Sequence, residues 1–226
     1  MNIRNLFIAS LAIAPLSAYG VDDLSYTYLE ADFVNLDIDE VGDNDSLSDL
    51  DDGNGIAFRG SYGFDTSPFG FADSWFIFAN YFEAESDVTF VDDLGVVRPA
   101  DTDVIRVDLG AGVAVPFNDM SQLVFRLGYS DIDLDGFDFG ASDTTSIGDL
   151  SDDSSDGFFL DGAWRGQVTP MMEISAGLRY TDIEETDNIS FIGNALFEIT
   201  PNWGVNLSAD VGDELTLLGV GARFTF

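Results

Sequence analysis

The chain has 226 residues, with 42 Asp or Glu against 8 basic residues, all of them Arg, giving a formal charge of −34, and it contains no His and no Cys. That charge excludes nucleic acid as a partner, since neutralising phosphates requires a basic surface, and the lack of Cys excludes a disulfide framework. Without His, Cys or Lys the usual general bases and activated nucleophiles near neutral pH are missing, so no enzymatic activity is expected. The apolar fraction of 46% argues against wholesale disorder despite the charge.

At the amino-terminus Arg4 precedes an apolar run from Leu6 to Ala14, then Pro15 and Ala18-Tyr19-Gly20. A short apolar run with a positive flank and small residues at its end reads as a secretory signal, so residues 1–20 are expected to be removed and 21–226 to form one domain. The run is too short for a spanning helix.

From Leu24 the sequence alternates with period two. Leu24 to Asp37 sets Leu29, Ala31 and Phe33 against Glu30 and Asp32; Gly55 to Phe64 sets Ile56, Phe58 and Tyr62 against Ala57, Arg59 and Ser61. Trp75 to Glu85 puts Trp75, Ile77, Ala79 and Tyr81 on one face, while Phe76, Phe78 and Phe82 leave the other unusually apolar beside Asn80. Asp103 to Val115 opposes Ile105, Val107 and Leu109 to Arg106, Asp108, Gly110 and Gly112; the segment from Gln122 opposes Leu123, Phe125, Leu127 and Tyr129 to Val124, Arg126 and Gly128. Gly157 to Val168, Met172 to Thr181, Ile189 to Ile199, Trp203 to Val211 and Glu214 to Phe226 follow the same rule, the last with Leu218, Val220, Ala222, Phe224 and Phe226 on one face and Arg223 on the other.

These are ten segments joined alternately by acidic connections (Asp37 to Gly53, Glu83 to Asp103, Asp131 to Ser155, Asp182 to Asp187, Asp213 with Glu214) and by short or Pro-bearing turns. An even strand number with long loops at one end is the pattern of a membrane-spanning barrel. A soluble sandwich also has regularly spaced short strands, but it does not require its acidic connections at alternate positions. The expected fold is all-β: a closed antiparallel up-and-down transmembrane β-barrel of ten strands, with eight as the alternative. Phe64, Trp75, Trp203, Phe224 and Phe226 then belong to the inner membrane–water interface and Tyr81, Tyr129 and Tyr180 to the outer one.

Arg59, Arg106, Arg126, Arg165, Arg179 and Arg223 all fall on the small or polar face. An arginine facing the lipid midplane would cost about 2–4 kcal/mol, so this face points inward. Glu30, Asp32, Asp108, Asp161, Glu173, Glu198 and Asp210 share it, and buried ions need partners, so an ion-paired interior network is expected, with Asp210 on the preceding strand and Glu30 or Asp32 across the closure as candidate partners of Arg223. The same residues are also compatible with a narrow conducting lumen constricted by arginines.

In the outer connections Asp131, Asp133 and Asp135 match the start of a calcium-loop pattern, but Ser142 stands where its closing carboxylate belongs. Alternating aspartates on a projecting strand fit as well. No cofactor is expected beyond Ca²⁺ or Mg²⁺ held weakly between acidic loops and the phosphates of the outer leaflet.

With the signal segment, the alternating hairpins and the final Phe224-Thr225-Phe226 in place, the mature chain resembles small Gram-negative outer-membrane barrels of the OmpX, OmpA and opacity-protein type. The resemblance implies a monomer in outer-membrane lipid and eight strands as the usual number. It also implies a closing strand whose terminal aromatic is read by the barrel-assembly machinery. Surface loops in such families serve adhesion, defence or envelope integrity. The expected function is therefore a structural or surface-interacting barrel, or alternatively a narrow channel for small solutes or ions.

Overall fold

Side chains alternate across a strand, and each of the ten segments is extended in the computed structural model, which describes residues 24–38, 47–50, 53–64, 70, 72, 74–91, 97–138, 153–183, 186–212 and 215–226. The expected signal segment lies outside these. In chain order the strands are β1 (Tyr28–Ile38), β2 (Leu47–Leu50), β3 (Gly53–Phe64), β4 (Ser74–Val91), β5 (Val97–Asn118) and β6 (Ser121–Asp138). There follow β7 (Asp153–Thr169), β8 (Met172–Ile183), β9 (Thr186–Thr200), β10 (Trp203–Val211) and β11 (Leu215–Thr225).

Apart from β2, each strand pairs antiparallel with its neighbours in sequence, and β1 pairs with β11, so the sheet closes on itself as a ten-stranded barrel. The eight-strand alternative is thereby excluded. The short strand β2 sits within the expected acidic loop Asp37 to Gly53 and adds to β4 above the end of β3, with Leu50 opposite Val88 and Leu47 opposite Phe90.

Other expected loops are in part strand as well. The β4–β5 hairpin stays paired up to Val91 opposite Val97, and β6 runs on to Asp138. At 22 residues β5 is about twice as long as the 9–11 residues a tilted spanning strand needs, so β4 to β7 rise as a wall above the membrane on one side. The hairpins β8–β9 and β10–β11 form the low side.

The outward face of the spanning region is apolar and exposed, as lipid contact requires: Phe33 is 75%, Leu127 59% and Leu178 58% accessible. At its inner edge Phe64 stacks on Trp75 at 4.0 Å, and Phe224 lies 4.9 Å from both Trp203 and Phe226. At its outer edge Tyr81 donates to Glu83 at 2.7 Å, and Tyr129 and Tyr180 share the lipid-facing side of β6 and β8.

The core lies within the barrel. One apolar cluster joins Tyr26, Phe76, Phe78, Ala114, Val124 and Phe159; a second, at the outer end, joins Val34, Leu36, Ala57, Phe82 and Ala84. The apolar inner face of β4 is explained by its neighbours. A Cβ on Gly110 would come within 2.6 Å of Phe78 Cζ, and one on Gly128 within 2.5 Å of Phe159 Cζ. Inward glycines on β5 and β6 thus leave the room that the rings of β4 and β7 occupy.

Candidate functional site: the barrel interior

Strand register decides which interior charges meet. Glu30 on β1 stands directly opposite Arg59 on β3 and Arg223 on β11, and it accepts from Arg59 at 2.5 Å and from Arg223 at 2.7 Å. Asp161 on β7 repeats the arrangement, flanked in register by Arg126 on β6 and Arg179 on β8, at 2.7 and 3.1 Å. Each carboxylate carries an arginine on either side, and both are almost fully buried. Asp32, two residues along β1 and also buried, pairs with Arg59 as well.

Arg165 and Glu173 meet fork to fork, Nε donating to Oε1 at 2.7 Å and Nη2 to Oε2 at 2.9 Å, a geometry that adds strength and direction. Arg106 donates to Asp108 on its own strand at 2.8 Å, and Ser130 donates to the same oxygen at 2.8 Å.

Arg179 spans the bore. From β8 its guanidinium contacts Asp161 on β7, Asp108 on β5 at 3.3 Å and Asp210 on β10 at 3.7 Å. Four arginines also lie over aromatic rings: Arg223 over Tyr28 at 4.2 Å, Arg165 over Tyr26 and Arg179 over Phe159 at 4.4 Å each, and Arg126 over Phe78 at 5.7 Å. Such contacts strengthen when desolvated, and they fill space beside each charge with apolar atoms.

Twelve of the thirteen interior residues named from the sequence therefore take part in ion pairs. Glu198 does not: it faces inward on β9, half-buried, without an ion pair among the described residues. Asp210 is brought to Arg179 rather than to Arg223. Along β10 it pairs in register with Leu217, six residues from Arg223 on β11, about 20 Å at strand rise.

Neutral partners that charge counting passes over complete the network. Asn206 is wholly buried, donates to Glu30 at 3.0 Å and accepts from Asn194 at 2.5 Å. Arg59 also donates to Ser208 on β10 at 3.2 Å. At the inner end the chain before β1 turns across the mouth: Tyr26 stacks on Phe76 at 4.5 Å and donates to Gln122 of β6 at 2.7 Å, while Arg165 on the far wall donates to the Ser25 carbonyl at 3.0 Å. The signal for these residues was their inward parity on alternating strands.

Between these layers a cavity of about 190 Å³ remains, bordered by Glu30, Arg59, Asp108, Arg126, Arg179 and Asp210 among others. Arg106 Nη2 and Arg179 Nε are buried without a hydrogen-bond partner among the described residues, and both side chains border this space.

Asp131, Asp133 and Asp135 lie on the extended strand β6, paired on both sides as far as Asp133. A calcium loop would have to fold back around its ion, which a paired strand does not do. Among the described residues no group of three or more His, Cys, Asp or Glu is arranged to hold a metal ion.

A family model described as "Outer membrane protein beta-barrel domain" matches residues 6–224. The chain belongs to that family. Its place is accordingly the outer membrane of a Gram-negative bacterium, with the apolar belt in lipid. No curated protein matches the sequence.

Among solved structures the chain is similar to the outer membrane protein OprG from Pseudomonas aeruginosa, at 12% identity and a TM-score of 0.50, over 88% of this chain and 94% of that one. It is similar also to the translocator domain of the autotransporter NalP from Neisseria meningitidis, at 10% identity and a TM-score of 0.49, over 91% and 90% of the two chains. The attachment invasion locus protein Ail of Yersinia pestis matches at 15% identity and a TM-score of 0.40, over 88% and 97%. At such identities the OprG likeness speaks for the fold alone.

Proposed function

We propose that this protein is a non-enzymatic outer-membrane barrel whose interior is shut by ion pairs, and which serves the envelope through its wall in the lipid and its acidic outer hairpins. The observation that carries the reading is Arg179, held by carboxylates from three strands around the bore. A guanidinium anchored in this way stands where a conducting path would run. One apolar cluster sets its rings beside Arg126, Arg165 and Arg179, and the second fills the outer end, so both add to the packing of the bore.

Twenty-nine of the 42 acidic residues fall in the five outer connections, with Arg98 as their one basic residue. The outer surface therefore suits cationic partners, and Mg²⁺ or Ca²⁺ bridging to leaflet phosphates supports contact with the lipid. The surface-interaction role rests on this charge.

The second reading, a narrow channel for small solutes or ions, is favoured by the 190 Å³ cavity and the two arginine nitrogens that border it. Single-channel recording from the refolded mature chain separates the two. No stable conductance steps are expected from the native chain, and Arg179→Ala is expected to introduce brief openings. Regular steps from the native chain would overturn the closed reading.

A further inference from the structure

Nine of the ten neighbouring strand pairs in the barrel are joined by a chain connection, which limits the registers each pair can adopt. The seam between β1 and β11 has no such connection. A one-residue slip there would turn the apolar face inward, but a two-residue slip keeps every side chain on its own face. The lipid side does not discriminate between such registers, because Phe33, opposite Val220, would meet Leu218 or Ala222 instead.

The interior does discriminate. Glu30 faces Arg223 in register, accepts from its Nε at 2.7 Å, and both side chains are nearly fully buried. Arg223 also lies 4.2 Å above the Tyr28 ring and 3.9 Å from Glu173. The two inward residues before it on β11 are Gly219 and Gly221. A Cβ on Gly221 would run into the Asp32 side chain and the Ala31 carbonyl, with Asp32 Cα at 2.6 Å, and one on Gly219 would run into Ser208 Oγ of β10 and touch Val34 at 3.4 Å.

We infer that the Glu30–Arg223 pair, with Gly219 and Gly221 as seats for Val34 and Asp32, sets the register in which the barrel closes. A slip of two in one direction puts Arg223 opposite Tyr28 and Glu30 opposite Gly221. The other puts Arg223 opposite Asp32, Glu30 opposite Thr225, and carries the guanidinium away from Tyr28. In either case Glu30 keeps Arg59 but loses its second arginine, and a buried carboxylate loses part of the compensation its burial requires. This role is independent of whether the lumen conducts.

The chain has no Cys, so introduced cysteines report register without interference. Phe33→Cys is combined in turn with Leu218→Cys, Val220→Cys or Ala222→Cys, and each mature chain is refolded into lipid vesicles and oxidised. In the native background only the Val220→Cys combination is expected to cross-link. With Arg223→Gln added, cross-linking is expected to spread to the Leu218→Cys or Ala222→Cys chain, a shift of two residues or about 7 Å along the strand. Arg179→Gln, which removes an interior arginine remote from the seam, is expected to leave cross-linking with Val220→Cys alone. The inference is overturned if Arg223→Gln retains the single native cross-link, or if Arg179→Gln spreads cross-linking to the same extent. Should Arg223→Gln not fold, Glu30→Gln is read by the same outcomes.

Discussion

Replacing Arg165 by Met tests whether the interior is dry. Arg165 and Glu173 are each less than a tenth exposed and share two hydrogen bonds. Once Arg165 is gone, the nearest cation to Glu173 is Arg223 at 3.9 Å, beyond hydrogen-bond reach. The face of Tyr26 also loses its cation at 4.4 Å, and the Ser25 carbonyl its donor. Removing one member of a buried pair costs about 3–5 kcal/mol, so Arg165→Met should lower stability by about 4 kcal/mol. At one decade per 1.4 kcal/mol that is roughly a thousandfold in the folded-to-unfolded ratio. The double change Arg165→Met with Glu173→Leu removes both ions and keeps much of their volume. Replacing a buried pair by apolar groups is often neutral or better, and Arg223 retains Glu30, so the double variant should lie within about 1 kcal/mol of the native chain. The assay is reversible urea unfolding in lipid vesicles followed by tryptophan fluorescence, with all four corners of the cycle measured. If the single change costs less than about 1 kcal/mol, Glu173 is hydrated and the reasoning from a desolvated interior fails. It fails equally if the double variant is no more stable than Arg165→Met.

Gly110→Ala should destabilise by about 1–3 kcal/mol through overpacking, because its Cβ would meet Phe78 at 2.6 Å and the Leu127 carbonyl oxygen of β6 at 2.5 Å. Gly162→Ala, whose Cβ would find Phe125 at an ordinary 3.6 Å, should be neutral or stabilise by about 0.4–1 kcal/mol; the same unfolding assay compares them, and equal effects would contradict the fit of ring to glycine. Chelating divalent cations should lower the melting temperature of the barrel in lipopolysaccharide-containing membranes and leave it unchanged in zwitterionic lipid. No difference between the two membranes would remove the case for cations at the acidic hairpins.

The faces of the strands were legible in the sequence because a barrel wall between lipid and a polar interior demands strict alternation. Every interior arginine could be placed from parity alone. The identity of partners was less legible, since it depends on register, which alternation leaves free by any even number of residues. Asp210 shows the consequence: its inward parity made it a candidate for Arg223, while the pairing of β10 with β11 carries it to the level of Leu217 and on to Arg179. Glu198 has the same parity and no ion pair, because parity reports a face and not a neighbour.

Features depending on a second strand were hidden for the same reason. Phe76 and Phe78 give β4 an anomalously apolar inner face on its own, and Gly112 and Gly110 beside them on β5 supply its explanation. The four residues of β2 are too few to show a period within an acidic stretch, and Asp131 to Asp135 alternate in a way that suits both a projecting strand and the opening of a calcium loop. Sequence alternation thus specifies the wall, whereas the meeting of interior charges is a property of register. Arg179 reaches partners across the bore because carboxylates on β5, β7 and β10 arrive beside it, a coincidence no single strand encodes. A variant that shifted one hairpin by two residues would keep the barrel's composition, parity and lipid surface and still separate these groups. The register at the unconnected seam and the position of Arg179 thus rest on separate sets of interior charges, Glu30 with Arg223 in one and Asp108, Asp161 and Asp210 in the other.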